Sequence, residues 1–303
     1  MISSPTFTML IGLPGVGKSF EAQKLLHKSS NTILLSSDDI RKELYGDETV
    51  QTDPSRVFDL MLKRARIALQ NGHSVIYDAT NINRKKRTHS LRQLPPCKKV
   101  AMIIWAKPET CIANDTARER SVGGDVIKRM LNNFQPPYYD EGFDDINLVI
   151  KDETYSKADY ENWMDCSHDN PHHSYNTVAE HTAQVVNEVN RLEIGAESLN
   201  KRILLWSAKL HDIGKKATKT FVNSRGVTTE IAHFYNHQSV GSYMALGYAP
   251  LDELNYKDKL LIVWLINNHM EPFPFSNSKY YKTLPSDLKT LVDTFHQCDL
   301  KGA

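Results

Sequence analysis

Short apolar runs alternate with polar, helix-compatible stretches in the first half of the chain. The runs are rich in β-branched and aromatic residues, and they comprise Thr6–Ile11, Thr32–Leu35, Ser74–Tyr77, Val100–Trp105 and a last short piece at Leu148–Ile150. Strands that alternate with helices are typical of a parallel sheet with helices on its faces. The pattern therefore predicts an α/β domain, a parallel sheet with flanking helices, over residues 1–150.

The second half has a different periodicity. Apolar residues recur at helical spacing on one face of a stretch that contains Val178, Val185, Val186, Val189 and Leu192. We expect an all-α domain over residues 165–303, with a small β excursion around Thr220–Ile231, and a linker over residues 151–164. The longest apolar run, Leu260–Ile266, is too short to span a membrane. The sequence thus predicts a cytoplasmic protein, or one of the host cytoplasm if it is phage-encoded, with no membrane partner.

Composition narrows the class of protein further. Of 303 residues, 40% are hydrophobic and 24% are charged, which are ordinary values for a globular protein and exclude disorder. Four widely spaced cysteines with no C-x-x-C pair argue against a disulfide framework or a thiolate zinc site, and we expect them to be mostly buried thiols. Nine of the twelve histidines fall in the second half, so that half is where imidazole chemistry is expected.

A phosphate-binding loop follows the first predicted strand. Gly12-Leu13-Pro14-Gly15-Val16-Gly17-Lys18-Ser19 matches the pattern G-x-x-x-x-G-K-[ST] between a strand and a helix. Gly12, Gly15 and Gly17 would let backbone amides cradle the phosphates, Lys18 would bridge the β and γ phosphates, and Ser19 would hold Mg²⁺. ATP and Mg²⁺ are the cofactors that this loop predicts.

Charged residues stand at the ends of the other predicted strands, where ligands of such sheets gather. Asp38 and Arg41 are suited to accept a hydroxyl proton and to orient an acceptor, although Asp38 could instead cap the following helix. Asp78 occupies a place suited to order Mg²⁺ or the acceptor. Further along, Arg118, Arg120 and Arg129 could close over the triphosphate as a lid, with a solvated face as the alternative.

A run of four basic residues, Arg84-Lys85-Lys86-Arg87, follows the third strand. It could contact the backbone of a nucleic-acid acceptor, but such runs are more often solvated faces.

Inward-facing ligand atoms recur through the helical half. His181, the pair His211-Asp212, His237, His269 and Asp299 are separated by gaps that suit helix-plus-loop units, each contributing to one buried centre. Imidazoles and carboxylates without thiolates favour a divalent transition metal such as Mn²⁺, Ni²⁺, Co²⁺ or Fe²⁺, and with it metal-assisted phosphoester hydrolysis.

The first half resembles the kinase domain of bacteriophage polynucleotide 5′-kinases. The resemblance is carried by Gly12–Ser19, by Asp38-Asp39-Ile40-Arg41, by Asp78-Ala79-Thr80-Asn81, and by Arg118 ahead of Asp125-Val126-Ile127 and Phe134-Gln135-Pro136. It implies that Asp38 is the general base, that Arg41 binds the acceptor phosphate and that Arg118 is the lid arginine. The family often has an arginine where this chain has Asn114.

The second half resembles the HD phosphohydrolase superfamily through His181, His211-Asp212-Ile213-Gly214-Lys215 and Asp299. The resemblance implies a first metal on His181, His211, Asp212 and Asp299, a second on His237 and His269 with Asp212 bridging, and a substrate phosphate on Lys215. The runs Asn170-Pro171-His172-His173, Glu180-His181-Thr182 and Phe234-Tyr235-Asn236-His237 are similar to HD modules of tRNA-nucleotidyltransferase-like and RNA-end-processing proteins.

The two resemblances together imply an enzyme that heals nucleic-acid ends. The first half would phosphorylate a 5′-OH end, with RNA favoured over DNA, and the second would hydrolyse a 2′,3′-cyclic phosphate or a 3′-phosphate, in a pathway that could include a ligase partner. One alternative is a small-molecule kinase fused to an HD nucleotide phosphohydrolase. Another is a nucleotide-sensing regulatory protein. The oligomeric state stays open.

Overall fold

The computed structural model describes residues 4–50, 52–170, 175–195, 199–273 and 278–302. Its contacts divide the chain into two compact units. The first unit comprises Met1–Met130 and Pro137–Glu153, and the second comprises Leu131–Pro136 and Thr154–Ala303. No helix within these described ranges is both long enough and apolar enough to cross a membrane.

The first unit is an α/β fold. Its strands are β1 (Thr6–Ile11), β2 (Thr32–Ser36), β3 (Ser74–Asp78), β4 (Lys98–Trp105) and β5 (Asp145–Ile150). Its helices are α1 (Lys18–Leu26), α2 (Ser37–Tyr45), α3 (Pro54–Gln70), α4 (Arg84–Arg92), α5 (Pro108–Thr116) and α6 (Gly124–Leu131), with a 3₁₀ turn at Tyr139–Glu141. The predicted parallel sheet with flanking helices is confirmed, and every predicted strand is present.

The sheet has the strand order β2-β3-β1-β4-β5, and every pairing is parallel. Its central strands are buried; Phe7, Met9, Leu10 and Ile11 of β1 have no exposed surface. Helices cover both faces of a parallel sheet, so such strands are continuous apolar runs. After β1 the chain continues to β2 on one side of β1, whereas β4 pairs with β1 on the other side. Such a reversal of strand order leaves a crevice at the carboxyl end of β1, and the phosphate loop lies there.

The basic run after β3 is divided between two roles. Arg84 and Arg87 are buried, at 5% and 1% exposure, whereas Lys85 and Lys86 are exposed. The Arg87 guanidinium donates to Glu141 from Nε at 2.8 Å and from Nη2 at 2.6 Å, and its Nη1 donates to the carbonyl of Asn81 at 2.9 Å. Neither a fully solvated face nor a four-residue contact for nucleic acid is therefore correct, because two of the four cations are internal.

The second unit is helical except for one hairpin. Its helices are α7 (Lys157–Met164), α8 (Val178–Arg191), α9 (Leu199–Leu210), α10 (Lys215–Thr218), α11 (His237–Leu246), α12 (Tyr256–Asn268), α13 (Lys279–Lys282) and α14 (Ser286–Lys301), with a 3₁₀ turn at Ala249–Glu253. The strands β6 (Lys219–Val222) and β7 (Thr228–Phe234) form the antiparallel hairpin. The predicted helical region and its small β excursion are confirmed.

Two segments differ from the expected boundaries. Helix α7 occupies much of the expected linker, because Ser156 and Asp159 form a capping box and Trp163 and Met164 are buried. Leu131–Pro136, counted with the first half by the sequence, is grouped with the second unit. There Phe134 is fully buried, its ring meets Tyr243 edge to face at 5.1 Å, and its carbonyl accepts from Asn267 Nδ2 at 3.0 Å. The apolar residues of this segment could pack in the core of either unit, so the sequence did not predict which unit the segment joins.

All four cysteines are free thiols. Cys111, Cys166 and Cys298 are buried and Cys97 is partly exposed, so the expectation of mostly buried thiols is confirmed.

Candidate active sites

The phosphate loop depends on its glycines for steric reasons. Gly15 and Gly17 have φ values of +78° and +92°, a region that side chains rarely adopt. A Cβ on Gly12 would lie 2.6 Å from the carbonyl oxygen of Ile104, and one on Gly15 would lie 2.1 Å from that of Cys111. The loop is thus held tightly against the end of β4 and against α5.

Lys18 and Ser19 begin α1 directly after this loop. Lys18 Nζ donates to the carbonyl oxygens of Gly12 at 3.1 Å and Leu13 at 2.8 Å, so its ammonium lies inside the loop. Burial lowers the pKa of Lys18 to about 8, although the Asp78 carboxylate works in the opposite direction. This is a cation ready to exchange carbonyl partners for phosphate oxygens.

Asp78 ends β3 and lies beside Ser19. The Ser19 hydroxyl donates to Asp78 Oδ2 at 3.1 Å. Burial raises the pKa of Asp78, and the nearby Lys18 ammonium opposes that rise. A hydroxyl and a carboxylate are oxygen ligands of the kind that Mg²⁺ prefers, so these two side chains fit the ion that the loop implies.

Asp38 and Arg41 lie on the first turn of α2, at the carboxyl end of β2. The helix is capped by Ser36, whose hydroxyl accepts from the amide of Asp38 at 3.2 Å, so the Asp38 side chain is not the helix cap. Arg41 Nη1 lies 2.6 Å from Asp38 Oδ1, and Arg120 Nη1 lies 3.1 Å from Asp38 Oδ2. Arg120 also reaches Glu48 at 3.1 Å. In this structure Arg120 contacts the Asp38 carboxylate, a pairing that its predicted role as a phosphate ligand did not include.

The loop after α5 carries two of the three predicted lid arginines, Arg118 and Arg120. Arg118 is exposed on this loop, close enough to Lys18 that its charge helps to lower the pKa of that lysine. Arg129 is exposed on α6. Asn114 donates from Nδ2 to the carbonyl of Gly15 at 3.0 Å. This position therefore contacts the phosphate loop itself.

Four histidines converge in the second unit, and a backbone carbonyl orients the ring of each one. Each Nδ1 faces a backbone carbonyl: His181 that of Gly302 at 3.0 Å, His211 that of Ala208 at 2.9 Å, His237 that of Phe234 at 3.0 Å and His269 that of Ile266 at 2.7 Å. Because a carbonyl only accepts, each Nδ1 carries the proton. Each Nε2 then presents its lone pair to the centre, as in metal-binding histidines.

The Nε2 atoms meet in pairs around two carboxylates. His181 Nε2 lies 3.2 Å from His211 Nε2, and these atoms lie 3.1 Å and 3.4 Å from Asp299 Oδ1. His237 Nε2 lies 3.2 Å from His269 Nε2 and 3.3 Å from Asp212 Oδ1. Asp212 Oδ2 lies 3.3 Å from His211 Nε2, so the Asp212 carboxylate stands between the two pairs.

These distances fit bound cations. Two ligand atoms that each lie about 2.1 Å from one ion are separated by roughly 3.0–3.4 Å. Two buried lone pairs that face each other at such a distance repel unless a positive charge lies between them. The groups His181–His211–Asp299 and Asp212–His237–His269 are each buried and able to hold an ion.

The pKa values show the same need for positive charge. Burial works to lower the pKa of His211, but the carboxylates of Asp212 and Asp299 outweigh it and raise that pKa to about 10. Burial lowers the pKa of His237 to about 4 and that of His269 to about 3. The two carboxylates thus favour positive charge beside His211, which is what a bound divalent ion would supply.

Lys215 and His168 flank this centre. Lys215 Nζ lies 2.7 Å from Asp212 Oδ2, 3.2 Å from His168 Nε2 and 5.5 Å from the centre of the Phe234 ring. His168 is buried, and its Nδ1 lies 2.9 Å from the carbonyl of Tyr175. The sequence assigned no role to His168, because it precedes α8 in a stretch without helical periodicity.

The remaining histidines of the second unit belong to neither group of candidate ligands or lie outside the described residues. His296 is buried with its ring against Phe273 at 4.4 Å, and His233 stacks on Tyr235 at 5.3 Å. Pro171, His172 and His173 lie outside the described residues.

Solved structures with low similarity come from several kinds of protein. A chain of a Pnkp1/Rnl/Hen1 complex is 21% identical over 50% of this chain and 48% of its own, with a TM-score of 0.36, so the match spans less than half of that protein. A fungal RNA kinase is 16% identical over 52% of this chain and 41% of its own (TM-score 0.37). A gluconokinase from Sinorhizobium meliloti is 14% identical over 49% and 83% (TM-score 0.36). No curated protein matches the chain.

Two family models match separate parts of the chain. Residues 7–137 match the model described as an AAA domain, and residues 177–294 match the model described as an HD domain. The first range includes the phosphate loop with Asp38 and Asp78, and the second includes the four converging histidines. The chain thus contains one region similar to an AAA domain and a second region similar to an HD domain.

Proposed function

We propose that the first unit transfers the γ-phosphoryl group of ATP to the 5′-OH of an RNA end. The observation that carries this proposal is the Asp38 carboxylate, 2.6 Å from Arg41, at the same edge of the sheet as Lys18 and Ser19. Asp38 accepts the proton of the attacking hydroxyl. Arg41 holds the first phosphate of the RNA strand after that hydroxyl. Lys18 and the lid arginines stabilise charge on the transferring group.

The nucleotide enters through the loop amides. Lys18 gives up the carbonyl oxygens of Gly12 and Leu13 for phosphate oxygens, which carry more negative charge. Ser19 and Asp78 would hold Mg²⁺, which neutralises phosphate charge when bound. Asp38 must also part from Arg120 before a hydroxyl can reach its Oδ2, since Arg120 lies 3.1 Å away.

The second unit, in the same proposal, hydrolyses a 2′,3′-cyclic phosphate or a 3′-phosphate. One divalent ion would be held by His181, His211, Asp212 and Asp299. A second would be held by His237 and His269, together with Asp212. Such ions polarise a phosphoryl oxygen and activate water. Lys215 is placed to draw the substrate phosphate towards the centre and leaves Asp212 as it does so. The buried walls exclude bulk water from the ligands.

The two reactions suit the same broken strand. Cleavage of the ribonuclease type leaves a 5′-OH and a 2′,3′-cyclic phosphate, and both must change before a ligase can join them. A single chain that performs both steps would deliver ligatable RNA ends.

A small acceptor is the second candidate for the first unit. The burial of Arg84 and Arg87 favours it, because it removes half of the basic run that would contact a nucleic-acid backbone. The acceptor would then be a nucleoside or another small hydroxyl compound, and phosphorylation would depend little on salt.

The test compares acceptors with matched variants. Purified protein is incubated with Mg²⁺, radiolabelled ATP and either a 5′-OH RNA oligonucleotide or a free nucleoside, and Lys18→Ala and Asp38→Ala serve as controls. Label on RNA with the wild type, lost in both variants, supports the proposal. Label on the nucleoside alone favours the second candidate, and ATP consumption without a labelled acceptor contradicts both.

A further inference from the structure

The loop that carries Arg118 and Arg120 is closed by one buried carboxylate. Asp115, at the last turn of α5, is 1% exposed. Its Oδ2 accepts from the hydroxyl of Ser121 at 2.6 Å and from the amides of Val122 and Gly123, each at 3.0 Å. Three donors on one oxygen fix both ends of the loop, because Val122 and Gly123 lead directly into α6.

The residue before it fixes the same region to the phosphate loop. Asn114 Nδ2 donates to the Gly15 carbonyl at 3.0 Å. A Cβ on Gly15 would come within 2.1 Å of the Cys111 carbonyl and 3.3 Å of the Asp115 amide, so α5 lies directly on the loop. The end of α5 thus contacts the phosphate loop through Asn114 and the loop over residues 117–123 through Asp115.

Arg118 and Arg120 depend on this closure for their positions. They lie three and five residues after Asp115, and the amide of Arg118 donates to the Asp115 carbonyl at 3.3 Å. The loop turns back between Arg118 and Gly123. This turn brings Arg120 to Asp38 and Glu48. Without the carboxylate, the seven residues between α5 and α6 would hold the two arginines by chain connectivity alone.

We propose that Asp115 is a positioning residue for the kinase reaction, which holds the loop that carries Arg118 and Arg120 beside the phosphate site before nucleotide binds, with Asn114 as its anchor on the phosphate loop. The inference rests on the proposed kinase function. Arginines that are already in place stabilise charge on the γ-phosphate without an ordering cost at each turnover. Asp115 touches neither nucleotide nor acceptor and acts only through the loop.

Asp115→Asn removes the charge while it keeps the size of the side chain. We expect it to lower kcat/KM for ATP about tenfold, the range for a lost charge-assisted hydrogen bond. Ser121→Ala, which removes one of the three donors, should give a smaller loss in the same direction and guards against a folding defect in the first variant.

A double-mutant cycle separates positioning from general stability. If Asp115 acts through the arginines, Asp115→Asn should cost less than about twofold when Arg118→Ala and Arg120→Ala are already present. A loss that stays tenfold in that background overturns the proposal, since the effect would then not pass through the arginines.

Asp152, which follows β5, supplies a matched control because its carboxylate contacts the other end of the same helix. Its Oδ2 accepts from the Lys107 amide at 3.2 Å and from the Thr110 hydroxyl, so it holds the beginning of α5 as Asp115 holds the end. Asp152→Asn should lower thermal stability comparably, yet its effect on kcat/KM should be unchanged by removal of the two arginines. Identical cycles for the two aspartates contradict the proposal.

The same cycle measured with a nonhydrolysable ATP analogue does not need the acceptor. Titration calorimetry gives Kd for each variant, and the same pattern of coupling is expected there. If the analogue cycle holds but no RNA end is phosphorylated, the proposed function fails and the role of Asp115 stands. Absence of coupling in both measurements removes the role of Asp115 alone.

Discussion

Burial decides the role of a charged residue that the sequence leaves open. Arg87 and Lys86 are neighbours in one basic run, yet Arg87 forms a two-pronged ion pair with Glu141 inside the first unit and Lys86 is exposed. The two are 54 and 55 positions from Glu141, a separation at which no local pattern reveals the pairing. Long-range pairing of this kind requires the folded structure.

Arg87→Ala should destabilise the first unit by about 3 kcal/mol, because it leaves the buried Glu141 carboxylate with Arg84, at 3.9 Å, as its remaining cation. Lys86→Ala should change the free energy of unfolding by less than about 0.5 kcal/mol. Chemical denaturation of the two variants checks this. Equal stability of both would mean that the ion pair contributes nothing.

The converging histidines make a prediction about metal content. His269→Ala removes one of two imidazoles from the group with Asp212 and should lower the amount of bound divalent metal, whereas His233→Ala, on the hairpin, should leave it unchanged. Elemental analysis of protein purified with Mn²⁺ or Ni²⁺ measures both. Unchanged metal in the His269 variant would exclude that histidine as a ligand.

Elements whose signals are local were predicted well from the sequence. The strand β1 and the phosphate loop follow from adjacent residues, and the inward spacing of His181 and Asp299 follows from helical periodicity. Helix α7 was missed because its eight residues are too few for a periodic signal and its burial depends on distant contacts. The proximity of His168 to the histidine centre was missed as well, because it depends on tertiary packing.

Gly214 joins two elements of the metal centre. A Cβ there would lie 2.1 Å from the carbonyl of His237 and 2.7 Å from the amide of Gly241, so Gly214→Ala must displace α11. We expect a loss of about 1–3 kcal/mol in stability and less bound metal. Gly195→Ala meets no atom within 4 Å and serves as the control. Normal metal content in both variants would show that α11 adjusts without moving His237.

At the scale of the whole molecule, the chain carries two candidate sites on two compact units. The phosphate-loop residues belong to the first unit and the converging histidines to the second. Two apolar periodicities and a concentration of histidine in one half predicted this division. The assignment of Leu131–Pro136 to the second unit was not predictable, because its apolar residues suit either core.

Separate sites should fail separately. Lys18→Ala should abolish phosphoryl transfer to the acceptor and leave phosphate hydrolysis intact, and Asp212→Ala should do the reverse. Parallel assays with each variant measure both activities. Loss of both activities in one variant, with normal thermal stability, would show that the two sites are coupled.

The most direct test of the two proposed activities uses one RNA oligonucleotide with a 5′-OH and a 2′,3′-cyclic phosphate. The strand is incubated with the full chain, ATP, Mg²⁺ and Mn²⁺, and both ends are examined by mass spectrometry. We predict a strand that gains a 5′-phosphate and loses its cyclic phosphate, with only one change in each of the Lys18→Ala and Asp212→Ala variants. A strand left unchanged at both ends, by protein that binds ATP and metal, would contradict this prediction.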